Sequence, residues 1–137
     1  MSNILLTGTS GFLGNAAYRK LSHNHNVFAI NFRIVNNYLE IANKFRMMEY
    51  SHLLHFAWAG ASNNNDLNSS IQIDNISKSI ELFNFGLSVG IKHFYFISTS
   101  WVYGDYDKIL TEEDKCNPKN LYGFSKLKTE EIWAELA

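Results

Sequence analysis

Hydrophobic residues in this chain fall into short, nearly continuous runs that alternate with longer periodic segments. Ile4 to Thr7 reads as a buried strand, closed by a glycine-rich turn, and Phe12 to Leu21 as a helix. Asn26 to Phe32 reads as a second strand. Asn36 to Met48 carries Leu39, Ile41, Ala42 and Phe45 on an approximate helical stripe. Leu53 to Trp58 reads as a third strand. In Leu67 to Val89, Leu67, Ile71, Ile76, Ile80, Phe83 and Leu87 recur at steps near a helical turn, so a long helix is expected with that stripe mainly in the core. Gly90 is a natural stop. His93 to Ser98 reads as a fourth strand, and Lys119 to the end as a helix. Apolar strands joined by helices predict a parallel sheet covered on both faces, a doubly wound α/β fold. With no linker or internal repeat, residues 1–137 are expected to form one domain.

Composition narrows the function. Twelve Lys and Arg against 13 Asp and Glu leave a net charge of −1, so no basic footprint for nucleic acid is present. The aromatic share of 15% argues against disorder. Cys116 is the only cysteine and is expected to be a loop thiol without a disulfide. Apolar runs fall well short of a membrane span. Met1 to Thr7 lacks a basic leader segment, so a cytoplasmic location is expected. His23 and His25 flank a turn with no evident third ligand, so no metal is expected. His55 is expected to be a packed strand histidine.

Thr7-Gly8-Thr9-Ser10-Gly11-Phe12-Leu13-Gly14 lies between a strand and a helix, where a dinucleotide loop belongs. Gly8 would allow the tight turn, Gly11 the approach of a diphosphate, and Gly14 close packing of helix on strand. Ser10 belongs to the same turn. The helix start offers free N–H groups and a positive dipole end. At the end of the second strand, Asn31 could bond a ribose hydroxyl and Arg33 a 2′-phosphate; no carboxylate is present. This favours NADP while leaving NAD open.

Tyr122 and Lys126 are four residues apart, so on a helix they share one face. An ammonium beside a phenol, with an oxidised nicotinamide nearby, is expected to lower the phenol's pKa and make it a usable acid/base. Ser98, Thr99 and Ser100 end the fourth strand in hydroxyls. Ligands of open α/β sheets sit at such carboxyl ends.

The glycine loop, His55-Phe56-Ala57-Trp58-Ala59-Gly60, Asp74-Asn75-Ile76, Ile97-Ser98-Thr99-Ser100-Trp101-Val102-Tyr103-Gly104 and Tyr122-Gly123-Phe124-Ser125-Lys126 occur in one order. In that order they resemble the extended short-chain dehydrogenase/reductase family, its NAD-dependent epimerase/dehydratase group. The resemblance implies a Rossmann-like fold and NAD or NADP as cofactor. It implies that Phe12 and Leu13 offer backbone N–H groups and that Ala57, Trp58 and Asn75 lie along the cofactor. It further implies Thr99, Tyr122 and Lys126 as the catalytic set, with Tyr122 and Lys126 also touching the cofactor. The implied chemistry is hydride transfer at a carbon of a nucleotide sugar. Ser100-Trp101 stand where dehydratases of the family carry Asp-Glu, which leaves epimerase and 4-keto reductase. Family members are much longer and carry a C-terminal substrate lobe. The chain is therefore expected to be a truncated form that lacks this lobe, with its fourth strand left as a sheet edge. A homodimer through the 67–89 and 119–137 helices is implied as well. The alternative is a non-catalytic dinucleotide-binding or interaction module, or an inactive remnant.

Overall fold

The computed structural model describes residues 1–31, 48–60 and 69–137. Arg33 and all of the helix expected over 36–48 except Met48 lie outside them. The elements are β1 (Asn3–Thr7), α1 (Phe12–Leu21), β2 (Asn26–Ile30), β3 (Tyr50–His55), α2 (Ser69–Ser88), β4 (His93–Phe96), a short 3₁₀ turn (Ser100–Val102) and α3 (Leu121–Leu136). The chain forms two compact units. One comprises Met1–Trp58 and Glu81–Ile97, the other Ala59–Ile80 and Ser98–Ala137.

The first unit holds a parallel sheet of four strands in the order β2-β1-β3-β4. From β1 the chain steps one way to β2, then returns across β1 to β3 and β4. Right-handed crossovers therefore place α1 and the end of α2 on opposite faces, which is the doubly wound arrangement. Ile4, Leu5, Leu6, Leu53, Leu82, Phe83 and Phe85 are buried between them. The Phe83 ring stacks on Phe94 with centroids 4.2 Å apart. β4 lies at an edge of the described sheet, as expected, and its Tyr95 is half exposed.

β3 begins and ends about three residues earlier than its apolar run suggested. Ser51 and His52 open the strand despite their polarity: the Ser51 hydroxyl bonds the Asn3 carbonyl, and the His52 ring stacks on His93. Phe56 to Trp58, the apolar half of the expected strand, already forms the loop at its carboxyl end.

The second unit is built differently. α3 and the first part of α2 bury Gln72, Asn75, Ser79, Ser125, Lys126 and Thr129 together with Trp133. The Trp133 Nε1 donates to the Ser79 carbonyl at 3.1 Å. The apolar stripe expected to be core is largely displaced: Ile71, Ile76 and Ile80 are only half-buried, and Leu87 is exposed. Among the described residues, no helix is long and apolar enough to cross a membrane.

Candidate active site

Topology selects the first location. The strand order reverses between β1 and β3, so the crevice of an open α/β sheet lies at their carboxyl ends. There Thr7 and His55, paired in register, are both fully buried. The Thr7 Oγ1 accepts from the Ala57 N–H at 3.1 Å and lies 2.7 Å from the His55 Nδ1. His55 is thus a packed strand histidine, as expected. Thr7, which the sequence marks only as the last residue of a strand, joins the two loops.

The glycine loop follows. Gly8 has φ +77°, and a Cβ there would meet Ala57 N at 2.7 Å. At Gly14 a Cβ would meet the Gly8 carbonyl oxygen at 2.1 Å. These two glycines are required by the protein's own packing. Gly11 is not: its φ is −90°, and its Cβ would find only the Gly8 oxygen at 3.4 Å. Gly11 is the N-cap of α1, has no side chain to cap the first N–H groups, and no acidic residue stands in the first turn. Ser10, Gly11, Phe12 and Leu13 are exposed, Phe12 by 90%. The bare, uncapped helix start fits a diphosphate, whose oxygens would accept from those N–H groups. Asn31 is exposed just past β2, whereas Arg33 lies outside the described residues, so the structure does not test the choice it was expected to make. Trp58 packs edge-on against Phe96 at 5.8 Å.

The second unit brings Thr99 and Tyr122 together, with Lys126 one helical turn beyond Tyr122. Asn120 caps α3, its Oδ1 accepting from the Gly123 N–H at 2.7 Å. Thr99 caps the 3₁₀ turn, its Oγ1 accepting from the Trp101 N–H. The two caps meet because position 123 has no side chain: a Cβ there would lie 2.5 Å from the Trp101 carbonyl oxygen. The result puts the Thr99 hydroxyl within hydrogen-bonding reach of the Tyr122 phenol. Lys126, one turn further along α3, is only 3% exposed.

The electrostatics of the pair run against expectation. Burial pushes the Tyr122 phenol up, only partly offset by Thr99. Burial also brings the Lys126 ammonium down to about 7, with Glu130 opposing the shift. The expected lowering of the phenol pKa by the ammonium is therefore absent in the chain by itself. Burial desolvates both groups, and neither is among the causes that shift the other.

Asn75 turns its amide to the backbone of Ala59: Oδ1 accepts from its N–H at 3.1 Å and Nδ2 donates to its carbonyl at 2.9 Å. Both ends of the side chain are thus engaged in holding the segment after β3. Two contributors had gone unnoticed in the sequence. One is Gly123, whose signal was its place inside the Tyr-x-x-x-Lys motif. The other is Glu130, four residues beyond Lys126. Its carboxylate receives a hydrogen bond from the Ser98 hydroxyl. Among the described residues, no group of three or more His, Cys, Asp or Glu is placed to hold a metal ion.

Fold, glycine loop and Tyr-Lys helix define a Rossmann-like α/β protein of the dehydrogenase/reductase kind. The chain belongs to the NAD dependent epimerase/dehydratase family, whose profile it matches over residues 4–137. It is 26% identical over 141 residues to dTDP-6-deoxy-L-talose 4-dehydrogenase (NAD(+)) of Aggregatibacter actinomycetemcomitans, covering 90% of this chain and 51% of that one. Among solved structures it resembles the UDP-Glc/GlcNAc 4-epimerase of Campylobacter jejuni, with TM-score 0.85 and 20% identity, over 98% of this chain and 49% of that one. It also resembles UDP-glucose 4-epimerase of Bifidobacterium longum, solved with NAD+ and UDP. There the TM-score is 0.84 and the identity 21%, over 98% of this chain and 49% of that one. The chain thus spans about half the length of these relatives.

Proposed function

We propose that this chain is the cofactor-binding and proton-transfer part of an NAD(P)-dependent nucleotide-sugar epimerase or 4-keto reductase. The observation that carries the reading is the approach of the Thr99 hydroxyl to the Tyr122 phenol at the start of α3, with the buried Lys126 one turn further along the helix. The bare N-terminus of α1 supports it independently. Family membership and relatives named for NAD and for nucleotide sugars add further support.

In this reading the N–H groups of Phe12 and Leu13, at the start of α1, hold the diphosphate. Ser10, Gly11 and Gly14 shape its seat, and Ala57 and Trp58 line the way from the end of β3. Bound nicotinamide supplies the hydride acceptor or donor. Thr99 donates to, or accepts from, the sugar oxygen that changes oxidation state. Tyr122 holds its proton at Oη in the resting chain and moves it to or from that oxygen. Lys126 is poised between charged and neutral near pH 7, so a small change in its surroundings decides whether it favours the phenolate. Its ammonium, when charged, bonds a ribose hydroxyl. The nucleotide sugar itself is bound largely by residues of a longer protein, and a homodimer through α2 and α3 belongs to the same reading. Asn31 and Arg33 favour NADP; the named relatives favour NAD.

A second reading, a dinucleotide-binding module without turnover, is favoured by the bare start of α1, which needs no residue of the second unit. Calorimetric titration of the 137-residue chain with NAD+ and NADP+, followed by a turnover assay with UDP- and dTDP-hexoses on a longer protein that contains it, separates the two. Binding and turnover support the enzyme. Binding alone supports the module. Absence of any dinucleotide binding overturns both.

A further inference from the structure

We propose that the stacked rings of His52 and His93 form an acid-sensitive clasp, which holds β4 against β3 and lets this edge strand loosen when the imidazoles gain protons.

The clasp lies wholly within the first unit. β4 is four residues long, stands at an edge of the described sheet and pairs there with β3 alone. Its ends are tied by the Lys92 N–H, which donates to the Ser51 carbonyl at 3.4 Å, and the Ile97 N–H, which donates to the His55 carbonyl at 3.1 Å. On one face the Phe94 ring stacks on Phe83. His93 precedes Phe94, so the alternation of a strand puts it on the other face, in register with His52. The two imidazole centroids are 4.8 Å apart, with the rings inclined by 24°. The His52 ring also lies 6.1 Å from the Tyr95 ring, at 12°. The stack thus engages His93 and Tyr95, two of the four residues of β4.

Neutral rings in this arrangement attract. Imidazoles take up a proton below about 6.5, and two positive rings at this separation repel. The surroundings of His52 do not relieve that repulsion. Burial comes first among the causes that favour its neutral form, followed by His93 from β4 and His25 from the turn before β2. Tyr95 adds a phenol ring, Ser51 a hydroxyl 2.6 Å from the His52 Nδ1, and β1 the apolar Ile4 paired with His52. Lys92, beside His93 in the chain, is a further cation. No carboxylate of the described residues is among the causes that shift His52, and the exposed Glu49 ahead of β3 is no exception. A strand with one neighbour opens more readily than a central one. Acid should therefore act first on β4 and not on β1, which has β2 on one side and β3 on the other.

The test is amide hydrogen exchange of the 137-residue chain, followed by NMR between about pH 7.5 and 5, with each rate divided by the unfolded-chain rate at the same pH. Protection of Ile97 and the bonded β4 amides is compared with that of Leu5 and Leu6 in β1. In wild type, protection in β4 is expected to fall about three- to tenfold relative to β1 on acidification. His52→Phe and His93→Phe keep a ring in the stack but take no proton, and in each the ratio is expected to stay constant. A wild-type ratio that does not change with pH overturns the proposal, as does a fall of wild-type size in either variant. If His52→Phe does not fold, the exposed position of His93→Phe decides alone.

Discussion

The two units of this chain bury different chemistry. In the first, the interior between sheet and helices is made of Leu5, Leu6, Leu53, Leu82, Phe83 and Phe85. In the second, the buried positions are Gln72, Asn75, Ser79, Ser125, Lys126 and Thr129, around Val102 and Trp133. An apolar interior gains from burial without needing direction. A polar one holds only if each group finds a partner at the right angle. The second unit therefore depends on specific bonds: Thr129 to the Ser125 carbonyl, Ser79 to the Asn75 carbonyl, and Trp133 to Ser79. It gives up apolar burial and gains a place where a lysine and a phenol can be desolvated. The first unit buries an apolar interior, and the second buries titratable groups.

The largest effect that would sharpen this contrast is chemical. Tyr122→Phe, placed in a longer protein that turns over, is expected to cut the rate about 10²- to 10⁴-fold while leaving NAD(P) affinity within a factor of a few. A loss of affinity without a loss of rate would reverse the division of labour. Truncation in the apolar interior comes next. Phe83→Ala should destabilise by about 3–5 kcal/mol and Leu53→Ala by about 2–5 kcal/mol in urea unfolding. In the polar interior Ser79→Ala, which removes one hydrogen-bonding hydroxyl, should cost only about 1 kcal/mol. Equal costs would dissolve the comparison. Gly123→Ala is expected to cost about 1–3 kcal/mol, because its Cβ must displace the Trp101 carbonyl. It should also break the Thr99–Tyr122 contact and slow turnover.

The remaining effect is pH dependence, and its sign is fixed. Lys126 is depressed from 10.5 to about 7 in the folded chain. Between pH 7 and 9 the unfolded chain holds a proton that the folded chain has released, so stability should rise with pH across that window. Below 7 the cost of burying the ammonium is fully present. Lys126→Met should flatten the rise, read as urea midpoints at pH 6 to 9. In the first unit, burial and the neighbouring His93 and His25 lower the His52 pKa. His52 should therefore add a separate rise with pH just below 6.5, unaffected by Lys126→Met.

This contrast also explains what the sequence could disclose. Short apolar runs and helical spacing mark elements, so β1, α1 and β4 were legible to within a residue or two. β3 was misplaced by a few residues because Ser51 and His52 enter the sheet through a side-chain bond and a ring stack, which hydropathy does not register. In the first part of α2 the buried face carries Gln72, Asn75 and Ser79 rather than the apolar stripe, whose Phe83 further along is buried as expected. Thr99, Tyr122 and Lys126 were recognisable from their motifs. Their electrostatics were not, because desolvation depends on what packs around them rather than on spacing. Gly123 and the Ser98–Glu130 bond were hidden for the same reason: each acts only through a contact made by the fold.

The central claim is that the first unit seats a dinucleotide diphosphate on the start of α1, and Gly11 tests it most directly. Its Cβ would meet no protein atom closer than 3.4 Å, and its φ is negative, so Gly11→Ala should leave the melting temperature nearly unchanged. The added methyl should instead stand where the diphosphate approaches the backbone. Calorimetric titration with NAD+ and NADP+ is predicted to show binding by wild type and at least a tenfold weaker affinity in Gly11→Ala. Equal affinity in the two chains, at equal stability, would contradict the account.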